Sequence, residues 1–241
     1  MSSKRKTYKQ VKVPENIEQP LTHEFKPKTR NQSEYVKAVL KNDVTICVGP
    51  AGTGKSAVAV GLAVAYLYHK KAEKIVISRP VVEASFKSIG ALPGDIREKL
   101  NPHVRPVYEE LVSYLGKPRV ERMIKEEIIE ICPVEMMRGR TFTNSIMVLD
   151  EAQNAMFEQL VMFSTRLGLG SKAIINGDLK QSDLPYQYLG GFDDFIDIMS
   201  EVDGVAIVEL DKSDNQRHPT VRNIIDALER YHDSRIQAAG N

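Results

Sequence analysis

The sequence predicts an α/β fold in which a mostly parallel sheet is covered by helices on both faces. Three observations lead to this class. Short runs of β-branched and aliphatic residues alternate with segments of helical length along the chain. A glycine-rich loop joins the first of these runs to an apolar helical segment, and two acidic residues directly follow a later run. Strands that alternate with helices pair in parallel, because a parallel connection needs a long crossover.

The composition predicts one domain inside the cell. With 241 residues and 42% hydrophobic side chains, the chain can bury one sizeable core. The 33 basic and 32 acidic residues nearly cancel, so net charge does not by itself indicate a nucleic-acid-binding protein. Cys47 and Cys132 each lie in or beside an apolar run, which favours packed thiols over a disulfide. No segment is apolar over the length of a bilayer and no leader peptide is evident, so we expect a cytoplasmic protein without a membrane partner.

Changes in composition predict the domain boundaries. Residues 1–27 are polar and contain prolines, which predicts a basic, flexible N-terminal extension. Residues 28–235 form the folded domain in this interpretation, and residues 236–241 a flexible tail. Five lysine or arginine residues precede the first acidic residue of the extension. A solvated terminus and contact with a phosphate backbone both fit this basic tip.

The glycine-rich loop fits the pattern of a phosphate-binding P-loop. A β-branched run at residues 44–48 precedes the loop, and an apolar helical segment at residues 57–68 follows it. In such a loop the backbone N–H groups and the helix N-terminus surround the phosphates of ATP. Lys55 would reach the β- and γ-phosphates, and the Ser56 hydroxyl would bind Mg²⁺. The predicted nucleotide-binding residues are Gly49, Pro50, Ala51, Gly52, Thr53, Gly54, Lys55 and Ser56.

Residues on either side of the P-loop segment extend the predicted site. Gln32 begins a predicted helix over residues 31–40, and its amide offers the donor and acceptor that adenine requires, although most glutamines at helix starts are solvated. A second strand, residues 74–78, is followed by Arg79 and Pro80. Parallel sheets bind ligands beyond the carboxyl ends of their strands, so Arg79 and Glu83 are either ligand-facing or a structural ion pair.

Asp150 and Glu151 directly follow the predicted strand at residues 145–149. A run of four apolar strand residues followed directly by two acidic residues is typical of a Walker-B site. Asp150 would hold Mg²⁺ through its coordination shell, and Glu151 would orient or deprotonate a water molecule beside the γ-phosphate. Two buried acids without such partners would be costly, which argues against a purely structural role.

The remaining segments add further elements and three candidate groups. Gln181, after the strand at residues 173–176, could sense the γ-phosphate. Arg138 and Arg140 form a basic turn that fits either phosphate contact or a solvated loop, and Arg217 is either a charge stabiliser or a surface residue. Residues 85–106, rich in Gly, Pro and basic residues, predict an irregular basic excursion. The other predicted strands are 129–132 and 205–210, and the other predicted helices are 107–115, 119–129, 157–167, 192–199 and 220–231.

Eight segments, in order, resemble the motifs of PhoH-like proteins over residues 28–231. They are Gly49 to Ser56, Arg79-Pro80-Val81-Val82-Glu83-Ala84, Leu92-Pro93-Gly94-Asp95, Arg138-Gly139-Arg140-Thr141, Asp150-Glu151-Ala152-Gln153-Asn154, Thr165-Arg166-Leu167-Gly168, Gly177-Asp178 with Gln181 and Asp183-Leu184-Pro185, and Arg217-His218-Pro219. The resemblance implies a RecA-like P-loop ATPase, similar to superfamily 1 helicases and linked to RNA metabolism. It implies that Gln32 reads adenine and that the segment beginning with Arg79 and Pro80 faces nucleic acid.

The chain departs from the family pattern at two places, Ser85-Phe86 and Asn215-Gln216. These departures concern the grip on nucleic acid and the response to the γ-phosphate more than hydrolysis. Some relatives carry a nuclease domain, which this chain has no room for, so we expect no nuclease activity.

The expected function is an ATP- and Mg²⁺-dependent translocase or helicase acting on RNA or another single-stranded nucleic acid. The alternatives are an ATPase that remodels ribonucleoprotein without unwinding a duplex and a nucleotide-switched module that binds partners. Related motors complete each ATP site with a second RecA-like domain, whereas this chain is predicted to have one. We therefore expect a neighbouring subunit to complete the site in a homo-oligomeric ring, a hexamer, in which Arg166 or Arg217 acts on the neighbouring site. Arg138 and Arg140 would contact the strand backbone.

Overall fold

The computed structural model describes residues 21–80, 96–184, 189, 191–225, 227 and 230–231, with side chains described from residue 104 onward in the second of these ranges. The basic tip of the predicted extension, Glu83 and the Ser85-Phe86 departure lie outside the described residues. The predicted boundaries at residues 28 and 235 stay predictions. Within the predicted extension, Leu21 and Phe25 pack against the core, and Thr22 N donates a hydrogen bond to Tyr114 O at 2.8 Å.

Six strands form one sheet in which every neighbouring pair is parallel, which confirms the predicted fold class. The order across the sheet is β3-β2-β4-β5-β1-β6. The strands are β1 Val44–Val48, β2 Lys74–Ser78, β3 Ile129–Ile131, β4 Ser145–Leu149, β5 Lys172–Gly177 and β6 Val205–Glu209.

Helices cover both faces of the sheet. They are α1 Arg30–Lys41, α2 Lys55–Tyr68, α3 Ile96–Leu115, α4 Lys117–Lys125, α5 Phe157–Ser164 and α6 Gly191–Ser200, and residues 219–225 are also helical. One core joins α1 to α4 to the sheet, and the other joins α5 and α6 to the opposite face. Neighbouring strand residues point to opposite faces, so Cys47 lies in the first core and Ile46 in the second. The strands are therefore apolar on both sides.

The strand order places the ends of four strands side by side. The chain runs from β1 through α2 to β2, which lies beyond β5 and β4, and it later returns through β4 and β5 to β6 on the other side of β1. Val48 pairs with Gly177, and Leu149 pairs with Ser78. Everything that follows β1, β2, β4 and β5 is consequently gathered at one edge of the sheet, where open α/β sheets bind ligands.

The predicted irregular excursion over residues 85–106 is wrong for residues 96–106, which are the first half of α3. Pro102 and Pro106 lie inside this helix, and each removes one backbone hydrogen bond. Val107 and Leu111 are buried in the core beside α2, and Tyr114 donates a hydrogen bond to Ala57 O at 3.3 Å. The free energy of this burial outweighs the two lost hydrogen bonds, an effect of packing that local residue preferences do not contain.

Two predicted helices also end earlier than expected. Helix α4 ends at Lys125, because Glu127 adopts a left-handed backbone conformation (φ 58°) and Ile129 to Ile131 pair with β2. Helix α5 ends at Ser164, and Phe142 N donates to Arg166 O at 2.9 Å in the connection that follows. In both cases pairing with a distant segment competes with helical hydrogen bonds.

Candidate nucleotide-binding site

The P-loop is an open turn that ends in the first turn of α2. Gly52 (φ 84°) and Gly54 (φ 87°) adopt left-handed conformations that favour glycine. A Cβ at Gly52 would also lie 2.7 Å from Arg217 Nε. Gly54 caps α2 without a side-chain hydrogen bond to the helix, so the first N–H groups of this 14-residue helix remain available to an anion.

Lys55 folds back over the loop that precedes it. Its Nζ donates hydrogen bonds to Gly49 O at 2.5 Å and Pro50 O at 2.9 Å. The ammonium group is thus held inside the curve of the loop, in the position from which a P-loop lysine reaches the phosphates of a nucleotide. Phosphate binding by Lys55 stays a prediction.

Ser56 and Asp150 meet at the end of the P-loop. Ser56 Oγ donates to Asp150 Oδ1 at 2.8 Å, and Asn176 Nδ2 lies 3.4 Å from the same oxygen. Asp150 is only 4% exposed; burial raises the pKa of its carboxyl, and the charge of Arg79 opposes that rise. Hydroxyl and carboxylate oxygens are the ligands that Mg²⁺ prefers. The pair therefore fits the predicted magnesium site.

Both oxygens of the Glu151 carboxylate accept hydrogen bonds. Arg79 Nη2 lies 3.0 Å from Oε1, and Gln153 Nε2 lies 2.6 Å from Oε2. Arg79 also contacts Asp150, with 3.5 Å between Nε and Oδ2. Glu151 adopts a left-handed backbone conformation (φ 60°, ψ 43°), which is uncommon for a residue with a long side chain. Arg79 thus joins the end of β2 to both acids, and Pro80 after it is buried.

A cleft of about 420 Å³ opens beside the P-loop, lined in part by Pro50, Ala51, Gln181, Arg217 and Arg222. Gln181, the predicted phosphate sensor, therefore faces the same space as the loop. Three cationic side chains line this cleft: Lys212, Arg217 and Arg222. Such a cleft suits an anionic ligand.

Arg217 packs on the P-loop of its own chain, against Gly52. The segment before it is tied to the loop as well, because Gln216 N donates to Gly52 O at 3.0 Å. Asn215 Oδ1 accepts a hydrogen bond from Arg217 N at 2.9 Å. The departure Asn215-Gln216 thus lies in the segment that holds Arg217 over the loop.

Helix α1 contributes two residues to this site. Gln32 is 3% exposed; its Nε2 donates to Thr53 O at 2.9 Å, and its Oε1 accepts from Lys28 N at 2.8 Å. One helical turn later, Tyr35 OH donates to Asn176 Oδ1 at 2.5 Å. Gln32 therefore lies against the P-loop with both amide atoms bonded to backbone groups, and its recognition of adenine stays a prediction.

Sequence reasoning missed Tyr35, Gln153 and Asn176, which connect the predicted residues to one another. Tyr35 follows Gln32 by three residues, so helical spacing alone would have placed both on one face. Asn176 is fully buried at the end of a strand, where an amide needs a partner. Gln153 lies in the motif Asp150 to Asn154, which was a signal for it, but its contacts with Glu151 and Asp178 depend on the neighbouring strand.

Two of the predicted nucleic-acid contacts, Arg138 and Arg140, form a separate cluster with Arg166. Arg140 makes a bidentate ion pair with Glu130, at 2.5 and 2.7 Å, and stacks over Phe142. Arg166 Nη1 donates to Arg140 O at 3.3 Å. Arg138 is exposed beside them. Their contact with a strand, and that of Arg79 and Pro80, stay predictions.

The family model for PhoH-like proteins matches residues 24–229. The chain belongs to the PhoH-like family. It is 46% identical over 203 residues to a PhoH-like protein of Bacillus subtilis, covering 84% of this chain and 63% of that protein. It is 41% identical over 189 residues to Protein PhoH of Escherichia coli K12, covering 77% of this chain and 53% of that protein. This PhoH-like chain thus spans between half and two thirds of the length of these relatives.

Among solved structures, the large terminase of a thermophilic bacteriophage matches with a TM-score of 0.52 and 16% identity, over 81% of this chain and 49% of that one. A match at this identity shows the fold, and it agrees with the RecA-like P-loop class implied by the motifs. No helix among the described residues combines the length and apolar character that a membrane crossing requires. Cys47 and Cys132 are both buried free thiols, as predicted.

Proposed function

We propose that this PhoH-like chain binds ATP with Mg²⁺, hydrolyses it, and uses the cycle to move along RNA or another single-stranded nucleic acid. The observation that carries the proposal is the meeting of Ser56 with Asp150 at 2.8 Å beside a glycine loop that holds Lys55. Phosphoryl transfer to water requires a phosphate-binding loop, oxygen ligands for a divalent cation and an acid that activates water. The P-loop, the pair Ser56 and Asp150, and Glu151 would provide them at one edge of the sheet.

Each residue then has one task. The N–H groups of the P-loop and of the first turn of α2 hold the phosphates, and Lys55 exchanges its loop carbonyls for phosphate oxygens. Ser56 and Asp150 would hold Mg²⁺, which when bound would neutralise part of the phosphate charge. Glu151 orients water for attack on the γ-phosphorus and accepts its proton, while the bond from that phosphorus to the β,γ-bridging oxygen breaks and ADP leaves. Gln181 and Arg217, beside the P-loop in the same cleft, would contact the terminal phosphate.

Glu151 is restrained before any reaction. Its Oε1 accepts a charged hydrogen bond from Arg79 at 3.0 Å, so this oxygen is already occupied by a protein donor. Arg79 is the first residue of the segment that the family resemblance assigns to nucleic acid. A phosphodiester that competes for the guanidinium would free this oxygen, which supports stimulation of hydrolysis by a bound strand.

The test is the ATPase rate of the purified protein with and without single-stranded RNA and single-stranded DNA. We expect one polymer to raise kcat, and we expect Lys55→Ala to abolish hydrolysis because the charge at the β- and γ-phosphates is lost. Lys37→Ala is the matched control, since Lys37 is an exposed lysine on α1 paired with Glu34. Glu151→Gln should retain ATP binding while it removes turnover.

The outcomes separate the competing functions. A basal rate that neither polymer changes would contradict the translocase and favour a nucleotide-switched partner-binding module. Stimulation without strand displacement would favour remodelling of ribonucleoprotein. No hydrolysis by the unmodified protein under any of these conditions would contradict the ATPase itself.

A further inference from the structure

Gln153 is held at both ends of its side chain. It is 8% exposed and lies in the short turn Ala152–Asn154 after Glu151. Its Nε2 donates to Glu151 Oε2 at 2.6 Å, and its Oε1 accepts from Asp178 N at 3.0 Å. The Gln153 amide therefore spans the gap between the acid after β4 and the loop after β5.

Further hydrogen bonds tie the same two segments together. Ser182 Oγ donates to Gln153 O at 2.9 Å. Asn154 Nδ2 donates to Asp183 Oδ2 at 3.1 Å, and Asp183 N donates to Asn154 Oδ1 at 2.8 Å. The turn after β4 and the loop at residues 178–183 are thus joined by several bonds, of which only those of Gln153 reach the Glu151 carboxylate.

The loop tied to Gln153 also faces the nucleotide cleft. It carries Gln181, which lines the cleft with Pro50 and Ala51 of the P-loop. Gln181 N donates to Asp178 O at 3.3 Å, so a shift of Gln181 acts on the residue whose N–H holds Gln153. A chain of direct contacts therefore runs from the cleft through Asp178 and Gln153 to Glu151.

We propose that Gln153 is a positioning residue that couples the orientation of the Glu151 carboxylate to the loop at residues 178–183. This proposal rests on the ATPase function proposed above. When Gln181 contacts the terminal phosphate, the loop at residues 178–183 takes one fixed position. Gln153, which is bonded to this loop, then orients the Glu151 carboxylate toward the attacking water. In this proposal Gln153 does not contact the nucleotide or the attacking water itself. It acts through Glu151, whose two carboxylate oxygens accept hydrogen bonds from Arg79 and Gln153.

The first test separates the two ends of the Gln153 side chain. Gln153→Glu keeps the side-chain length and the acceptor for Asp178 N–H, but it places a second carboxylate against Glu151. Gln153→Met keeps a similar volume and removes both contacts. We expect each to lower kcat about 100-fold while Kd for ATP stays within about threefold, because a misplaced catalytic group affects the chemical step.

Gln159→Met is the matched control. Gln159 is a half-buried amide nearby whose side chain is likewise bonded at both ends: it accepts a hydrogen bond from Met156 N at 2.7 Å and donates to Glu135. We expect this control to change kcat by less than about twofold, even if it lowers thermal stability as much as the Gln153 variants do. Equal kcat losses in the control and the Gln153 variants would reduce Gln153 to a structural role and overturn the proposal.

The second test measures coupling with Gln181. If Gln181 acts on Glu151 through Gln153, the variant with both Gln153→Met and Gln181→Ala should lose no more kcat than the more damaging of the two single variants. Multiplied losses would mean that the loop and Glu151 act independently, which contradicts the coupling.

A third measurement requires no hydrolysis. Glu151→Ala releases Nε2 of Gln153, so the Asp178 N–H should lose protection and exchange with solvent deuterium faster than in the unmodified protein. Unchanged exchange at Asp178 would overturn the coupling even in an active enzyme. A protein that shows the exchange effect but whose unmodified form has no ATPase activity would instead contradict the proposed function alone.

Discussion

Arg140 illustrates how one residue can fit two interpretations until its neighbours are known. Its guanidinium makes a bidentate ion pair with Glu130 and stacks on Phe142, with 4.6 Å from Cζ to the ring centroid. Lys74 adds a second cation at 2.6 Å from Glu130 Oε2. The hydrogen bond from Arg140, supported by Lys74, lowers the pKa of the Glu130 carboxyl to about 2. Arg140 is consequently held in the fold whether or not it also contacts a strand.

The first prediction at this scale concerns stability against pH. Because the pKa of Glu130 is lower in the folded state than in the unfolded state, its ion pair stabilises the fold above the ordinary carboxyl pKa. That stabilisation is lost as pH falls toward about 2. Arg140 is 38% exposed, so we expect Arg140→Ala to cost only about 1–2 kcal/mol at pH 7. The loss should shrink as pH falls through this window, measured by urea unfolding.

Arg105→Ala is the matched control for this prediction. Arg105 pairs with Glu109 on the surface of α3, where both side chains are well exposed. Its replacement should change stability little, because solvent screens such pairs. A stability loss for Arg140→Ala that is the same at pH 3 and pH 7 would assign the loss to packing on Phe142 rather than to the ion pair.

At the scale of elements, α2 is apolar on nearly all sides and lies between the sheet and the chain segment that contains Phe25. Eight of its residues are buried. Gly61, in its middle, lets Phe25 approach closely, since a Cβ at Gly61 would lie 2.6 Å from Phe25 Cβ. The helix that carries Lys55 and Ser56 is thus covered by residues that the sequence assigned to an extension.

A second prediction follows from this contact. Alanine is favoured over glycine inside a helix by about 1 kcal/mol, but the overlap with Phe25 should cost more than this gain. We expect Gly61→Ala to destabilise the protein by about 1–2 kcal/mol. In a Phe25→Gly background, the same substitution should become neutral or stabilising. Denaturant unfolding of the four variants gives the coupling energy directly. Equal effects of Gly61→Ala in both backgrounds would show that Phe25 does not cover α2 in solution.

At the scale of the whole molecule, the two arginines proposed to act on a neighbouring site occupy different places. Arg217 packs against Gly52 of its own chain, which favours a role inside the subunit. Arg166 lies with Arg140 in the separate cluster, and Leu169 nearby is 81% exposed. We therefore propose Arg166 as the residue that would reach a neighbouring ATP site in a ring.

Mixing inactive variants tests this assignment. If Arg166 acts in trans, Lys55→Ala and Arg166→Ala subunits should each be inactive as pure oligomers, yet their mixture should recover part of the ATPase rate. The recovered sites would combine an intact Lys55 with an intact Arg166 from the neighbour. A mixture of Lys55→Ala with Glu151→Gln is the control without recovery, because both lesions lie in the same site. Sedimentation showing a fully active monomer, or no recovery in the first mixture, would contradict the ring.

Much of the candidate site could be predicted because its signals are local. The P-loop glycines, Lys55 and Ser56 lie within eight consecutive residues, and Asp150 and Glu151 directly follow an apolar strand. Alternation of strands and helices likewise predicted a parallel sheet. Residues 96–106 were mispredicted because Pro102 and Pro106 lower the local preference for a helix. The burial of Val107 and Leu111, which stabilises this helix, depends on contact with α2 and is not visible in the local sequence.

The sequence by itself thus determined the fold class, the family and the residues predicted to face the nucleotide, since these depend on short patterns with known geometry. Only the tertiary structure decided which side chains restrain them. Arg79 and Glu151 are 72 residues apart, and Gln153 and Asp178 are 25 apart. Such pairs meet because β4 lies between β2 and β5 in the sheet, an order set by the packing of whole helices on both faces.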